Sequence, residues 1–315
     1  MFTVVIPLFN KERHIERAVR SVINQTFQDF EIIVVDDGST DNSVEEVLKI
    51  KDNRIKLIKQ KNGGVSSARN KGIDEARYEY IGFLDADDAW KPNFLDSIKE
   101  IIEKYPKAGA YCTSYDIKTE DGIVIVPSNY LNFDSNWNGI IDDYFKYSLK
   151  GSLIWTSCVV IPKSVFIDLG GFPVGIKRGE DLDMWIRIAL NYDIVYLNKT
   201  CATYYHDADN RACKRKVEQK YSIVSYVEDI LAQGKNLGTT SIYFEEYMIK
   251  IIISKARYLI EENNRKEARK LLYKYRYTKL NKKALIKTII LSYIPSIIRE
   301  YRDRYIQKNK NILRK

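Results

Sequence analysis

Cysteine is scarce in this 315-residue chain. Cys112, Cys158, Cys201 and Cys213 are the only four, and no two stand at Cys-x-x-Cys spacing. That excludes a disulfide framework and points to a reducing compartment. Long apolar runs are missing as well. A membrane-spanning helix needs about 20 consecutive apolar residues, and the longest candidate, Ala284 to Ile298, is interrupted by Lys287 and Pro295. No basic leader precedes Phe2-Thr3-Val4-Val5-Ile6, and polar Asn10-Lys11-Glu12 follows at once. The opening therefore reads as a first strand and not as a signal peptide. Histidine is limited to His14 and His206. The glycine-containing stretch Asn62–Asn70 is neither GxGxxG nor a P-loop, so a dinucleotide or ATPase site lacks support.

What is present is a globular composition, 45% hydrophobic and 30% charged, with a net charge of +9. The charge is uneven. Residues 1–215 hold 28 Lys and Arg against 32 Asp and Glu, whereas residues 265–315 hold 17 against 3. A basic tail of this kind suits a polyanionic surface or a solvated helical face. The chain is read as a domain over 1–215 and a basic helical region over 216–315.

The first hundred residues alternate. Short apolar runs at Phe2–Pro7, Glu31–Val35, Arg54–Lys59 and Tyr78–Leu84 are separated by helical periods at Glu12–Gln25, Ser43–Ile50 and Val65–Ala76, with another at Asn93–Lys104. This order predicts an α/β fold with a mostly parallel sheet, helices on both faces, and ligands at the carboxyl ends of the strands. Further on, strands are expected at Gly109–Ile117, Ile123–Val126, Ser152–Pro162, Asp193–Leu197 and Thr203–Tyr205, and a helix at Gly179–Asn191. Helices at Phe244–Glu262 and Arg265–Tyr275 follow. A last amphipathic segment runs from Ala284 to about Ile306, kinked or broken at Pro295.

Three acidic clusters stand where strands end or a helix begins. Asp85-Ala86-Asp87-Asp88 gathers carboxylates that repel unless a cation or hydrogen-bond donors offset them. Mg²⁺ and Mn²⁺ are hard ions that take few carboxylates plus substrate phosphates, so this turn suits a bridge from protein to metal to diphosphate. Asp36-Asp37-Gly38-Ser39 suits an Asx turn, hydrogen bonding to a nucleoside, or both, with Asp36 structural and Asp37 facing the ligand. Glu180-Asp181 opens a helix, where acids satisfy free amides or serve as a general base. Arg69, in the helix behind Gly63-Gly64, suits phosphate. His14 lies in an exposed-looking helical stretch. His206 is read as a structural histidine or a metal ligand.

Together these segments resemble family-2 glycosyltransferases of GT-A fold. The likeness rests on Val4-Val5-Ile6-Pro7-Leu8-Phe9-Asn10, on Ser21-Val22 with Gln25-Thr26, on Glu31 through Asp41, Asn62 through Gly72 and Phe83 through Asp88. It continues through Gly170-Gly171-Phe172, Gly179 through Trp185, and Tyr205-His206, covering about residues 2–210. The resemblance implies an inverting enzyme that uses a nucleoside-diphosphate sugar, with UDP the expected nucleotide, and Mn²⁺ or Mg²⁺. By motif, Pro7, Phe9 and Glu12 would line the nucleoside pocket, Asp37 would accept from the base, and Arg69 would hold the nucleotide. Asp85 would reach the ribose or the metal, and Asp87 would be the principal metal ligand. Asp181 would be the catalytic base, with Glu180 orienting it or sharing its task, and His206 would complete the metal or diphosphate site. Asp207 to Asn210 departs from the small, Ser-containing stretch expected there.

Relatives of this type build surface polysaccharide on lipid-linked acceptors at the cytoplasmic face. The basic tail fits a helix lying in the membrane interface, with a helical packing partner or a homodimer contact as rivals. Competing functions are a nucleotidyltransferase, which would carry a Gly-rich basic loop where Pro7-Leu8-Phe9-Asn10 stands, and a non-catalytic sugar-nucleotide binder. No aromatic-basic reading surface supports nucleic-acid binding.

Overall fold

The computed structural model describes residues 1–127, 131–207, 218, 220, 222–236 and 241–294. Cys213 and the segment from Pro295 to Ile306 lie outside them. The chain forms two compact units, Met1–Ile223 and Val224–Lys315.

The first unit opens with the expected alternation. Strands β1 (Phe2–Leu8), β2 (Phe30–Asp36), β3 (Ile55–Lys59) and β4 (Tyr80–Phe83) are separated by helices α1 (Ile15–Ile23), α2 (Ser43–Lys49) and α3 (Val65–Glu75). These four strands pair in parallel. A parallel sheet covered on both faces demands apolar residues at every position. Val4, Val5, Ile6, Ile32, Ile33 and Val34 accordingly have no exposed surface. Burying each such side chain is worth about 1.5–3 kcal/mol. Helix α3 lies so close to β1 that a Cβ on Gly72 would stand 2.3 Å from Val5 Cγ1.

The unit continues with β5 (Ala89–Trp90), α4 (Phe94–Lys104), β6 (Ala110–Lys118), β7 (Val124–Ile125), β8 (Asn138–Ile140), α5 (Tyr144–Ser148), β9 (Val159–Pro162), α6 (Lys163–Leu169), α7 (Glu180–Asn191) and β10 (Ile194–Tyr205). One mixed sheet results, in the order β3-β2-β1-β4-β9-β6-β10-β5, with β7 and β8 on its margins. Strand β9 runs against both β4 and β6, and β6 runs with β10. The carboxyl ends of β1, β2, β4, β6 and β10 therefore share one edge. The beginning of β9 arrives at that same edge.

Two expectations are corrected here. The strand expected over Ser152–Pro162 forms only at Val159–Pro162, because Thr156–Cys158 is a 3₁₀ turn closed by Cys158 N–H donating to Trp155 O at 2.9 Å. The two strands expected at Asp193–Leu197 and Thr203–Tyr205 are one. Its polar middle is accommodated by register shifts between Leu197 and Ala202, and the Asn198 amide donates to Phe133 O and Asp134 O.

The second unit contains α8 (Val227–Asn236), α9 (Ile242–Glu261), α10 (Arg265–Lys274) and α11 (Lys282–Tyr293). Ser241 caps α9 by accepting from Tyr243 N and Phe244 N. Glu246 is 3% exposed and accepts from the Thr278 hydroxyl, Lys279 N and the Asn281 amide. Helix α11 buries Leu285, Thr288 and Ser292, and its apolar Ile286, Ile290 and Tyr293 face solvent. No helix among the described residues is long and apolar enough to cross a membrane.

Candidate active site

The sequence from Leu84 to Trp90 turns at the carboxyl edge beyond β4. Asp88 N donates to Asp85 O at 3.0 Å, closing a turn that leaves Asp85 and Asp87 half-buried and Asp88 fully buried. Asp88 Oδ2 accepts from the Ser157 hydroxyl at 2.5 Å and the Trp155 indole N–H at 3.2 Å, and Oδ1 accepts from Tyr205 N at 3.4 Å. Asp85 N in turn donates to Ser157 Oγ at 3.1 Å. Burial, with Asp85 and Asp87 adding negative charge, pushes the Asp88 carboxyl well above the usual carboxylate range. Asp88 is thus the peg that ties the acidic turn to the start of β9 and the end of β10.

Arg69 connects this turn to α7. It is 3% exposed, its Nη2 lies 2.9 Å from Asp85 Oδ1 and its Nη1 lies 3.1 Å from Glu180 Oε1. Burial alone would lower its pKa, but the carboxylates of Asp85, Glu180 and Asp181 outweigh it and the guanidinium is held above its ordinary value. Asp181, the next residue, occupies the first turn of α7 and accepts from its neighbour Leu182 N at 2.8 Å. Burial and the adjacent Glu180 push its carboxyl up to about 6, against the pull of Arg69, and Asp85 adds to the rise. The acidic cluster after β4 and the one opening α7 are therefore joined through one arginine.

Local stitching fixes α7 in place. The Asn70 side chain donates to Phe172 O and accepts from Phe172 N, both at 2.8 Å. A Cβ on Gly171 would stand 2.4 Å from Asn70 Oδ1, so this approach requires glycine. Arg187 pairs with Asp183 and donates to the carbonyls of Leu169, Gly170 and Gly171.

The residues expected to line a nucleoside pocket follow β1 and β2. Pro7 and Phe9 are half-buried at the end of β1. Asn10 takes φ +52°, a left-handed position that asparagine tolerates, and its side chain accepts from Thr40 N at 2.8 Å. Asp36 accepts from Ser39 N at 3.0 Å, three residues on where an Asx turn would bond two residues on, and so holds the turn after β2. Asp37 is turned inward and not outward. It is 3% exposed and accepts from Gly63 N, Gly64 N and Gln60 Nε2, each at 2.8 Å, so it builds the glycine loop. Glu12 accepts from the backbone and side-chain amides of Asn42 at 3.0 and 2.9 Å, joining the turn after β1 to the start of α2.

Cationic groups missed in the sequence crowd the acidic turn. Lys11 Nζ lies 2.7 Å from Asp87 Oδ2, and Arg17 Nη2 donates to Asp87 O at 2.7 Å. Arg17 also pairs with Asp207 at 3.0 Å and stacks over the Tyr205 ring, 3.6 Å from its centroid. The residue that departs from the expected pattern, Asp207, thus has a partner on α1. An arginine on the first helix, off its apolar stripe, was the available signal. His14 corrects another expectation. The helix begins at Ile15, later than the periodicity suggested, so His14 sits at its cap and is 8% exposed, with Nε2 unpartnered. Burial lowers its pKa, with Arg17 acting in the same direction. His206 packs edge-on against the Tyr204 ring at 4.9 Å.

Among the described residues, no three His, Cys, Asp or Glu side chains are grouped closely enough to hold an ion by themselves. His206 is therefore not brought into one ligand group with Asp85 and Asp87. A pair of carboxylates on one turn is a donor set that suits Mg²⁺ or Mn²⁺, which keep waters and substrate phosphates as their other ligands.

Comparison with known proteins bears on the family and the fold. The chain is 27% identical over 238 residues to a hyaluronan synthase of Pasteurella multocida, covering 74% of this chain and 23% of that protein. It is 28% identical over 223 residues to a chondroitin synthase of Pasteurella multocida (strain Pm70), covering 70% and 22%. The chain thus spans about a quarter of the length of these relatives. Among solved structures, residues 1–349 of S. aureus TarS in complex with UDP superpose with a TM-score of 0.63 at 20% identity, over 79% of this chain and 70% of that one. The same portion of TarS in complex with UDP-GlcNAc also gives 0.63 at 20% identity, over 91% and 79%. The fold is thus the GT-A fold of that enzyme. Residues 3–170, more than half of the chain, match the family described as Glycosyl transferase family 2, and the protein belongs to that family.

Proposed function

We propose that this protein is an inverting glycosyltransferase that moves a sugar from a nucleoside diphosphate, with UDP as the nucleotide, to a hydroxyl of a glycan or lipid-linked acceptor in surface-polysaccharide synthesis. The observation that carries the reading is Arg69 holding both Asp85 and Glu180, which sets Asp181 beside the acidic turn. UDP is favoured because TarS was solved with UDP and with UDP-GlcNAc. Polymer synthesis is favoured by the relatives named for hyaluronan and chondroitin.

Asp181 takes the acceptor proton as the hydroxyl attacks the anomeric carbon, and its raised pKa suits a base working near neutrality. Glu180 sustains that rise, and one displacement with one base inverts the anomeric centre. Pro7, Phe9 and Glu12 wall the nucleoside. Asp37 serves the nucleoside indirectly, by holding the Gln60–Gly64 loop in place. Arg69 acts by placing carboxylates. Asp87, with Asp85 on the same turn, would hold a divalent ion, which when bound would neutralise charge on the departing diphosphate.

Release of nucleoside diphosphate across a donor panel tests this. Pyrophosphate released from a nucleoside triphosphate would replace it with nucleotidyl transfer, and donor binding without turnover would make the protein a binder.

Peripheral attachment to the cytoplasmic face of the plasma membrane is proposed for the second unit. Helix α11 presents Ile286, Ile290 and Tyr293 at 55–59% exposure, with exposed Lys282, Lys283 and Lys287 beside them. Such a face suits an anionic interface, where each basic residue contributes about 1 kcal/mol. Flotation with anionic liposomes should fall when Ile286 and Ile290 are changed to Asp. Unchanged flotation, with a dimer that breaks on the same substitutions, would assign the face to a second copy.

A further inference from the structure

Lys11 and Asp87 are 76 residues apart, yet ammonium and carboxylate meet at 2.7 Å with only 14% of either side chain exposed. The lysine is held by its backbone as well, since Lys11 N donates to Ser43 Oγ at 2.7 Å. Asp87 is held from its other end, where its carbonyl accepts from Arg17. One of the two carboxylate oxygens open to a divalent ion is thus already taken by an internal cation.

We propose that Lys11 is a positioning residue for Asp87, an intramolecular counter-ion that competes with the divalent cation and sets the metal concentration at which the donor site fills. This rests on the donor-site reading above. An ammonium and a divalent ion drawn to the same carboxylate repel each other, so each weakens the other's hold on Asp87. Lysine suits the part because its ammonium is a point charge on a flexible four-carbon stem and moves without disturbing the turn. Arg17, fixed by Asp207, Tyr205 and the Asp87 carbonyl, keeps the backbone in place meanwhile.

The test measures Mn²⁺ affinity on the full chain, by calorimetry and by Mn²⁺ spin resonance, with saturating UDP and no acceptor. Lys11→Met should tighten Mn²⁺ by about tenfold, since it removes a half-buried competitor and leaves Asp87 unpaired. Lys11→Arg, which keeps the charge, should bind Mn²⁺ more weakly than Lys11→Met. Wild-type or weaker Mn²⁺ affinity in Lys11→Met overturns the proposal. Asp87→Asn separates the two levels. If it loses Mn²⁺ while Lys11→Met is unchanged, competition alone is wrong. If Asp87→Asn binds Mn²⁺ and UDP like the wild type, the donor-site reading fails and this proposal fails with it.

Discussion

Arg69 Nη1 lies 3.1 Å from Glu180 Oε1, although 111 positions separate the two residues. One guanidinium reaches from α3 to the first turn of α7, and its other arm holds Asp85. The distance between the acidic turn and the candidate base is thereby set by a single rigid, planar cation.

Asp181→Asn should leave donor affinity intact and lower turnover by about 10²–10⁴, the usual contribution of a positioned base. Nucleoside diphosphate release and calorimetric donor binding, measured on the same preparation, check it. Retained turnover would remove Asp181 from the chemistry.

As a base Asp181 would work only when deprotonated, and its pKa is pushed up to about 6. Activity should therefore be flat above that value and fall about tenfold per pH unit below it. Glu180 is among the causes of the rise, so Glu180→Gln should carry the acid limb to lower pH. Arg69 acts against the rise, so its removal should carry the limb to higher pH. A kcat/KM profile for each variant decides the matter, and an unmoved limb in Glu180→Gln would contradict the assignment.

Arg69→Met should destabilise the first unit by about 3 kcal/mol, the low end for breaking a buried ion pair, because Asp85 keeps solvent contact. Thermal unfolding reads this directly. A melting temperature equal to wild type would show that water replaces the guanidinium at no cost.

Gly171→Ala should cost about 1–3 kcal/mol, the range for overpacking. The added methyl would stand 2.4 Å from Asn70 Oδ1 and force open the two hydrogen bonds to Phe172. Asn70→Ala already lacks those bonds, so adding Gly171→Ala to it should cost much less. Equal costs in both backgrounds would disprove the coupling.

The sequence made the alternating elements up to Lys104 legible because short β-branched runs are cut by Asp- and Gly-containing turns. The acidic clusters were legible as well, since each follows a strand or opens a helix. What stayed hidden depends on partners far away in the chain. Lys11 and Arg17 look like ordinary surface cations until Asp87 and Asp207 are brought to them. Ser157 and Trp155 look like strand residues until Asp88 claims them. Asp37 looked outward-facing because nothing local reveals that the Gly63 and Gly64 amides return to it. His14 was misjudged by a helix start placed three residues early.

The reversed direction of β9 has a consequence for how such a chain diversifies. A strand running with its neighbours would bring its tail to the reactive rim, whereas β9 brings its head, with Trp155 and Ser157 just ahead of it. Residues inserted before Trp155 would therefore land at the carboxyl edge, beside the acidic turn. The same insertion after Pro162 would land on the opposite rim, about 13 Å away across a four-residue strand. The stretch between α5 and β9 is a place where new recognition can be grafted while the hydrogen bonds of the nucleotide half stay as they are.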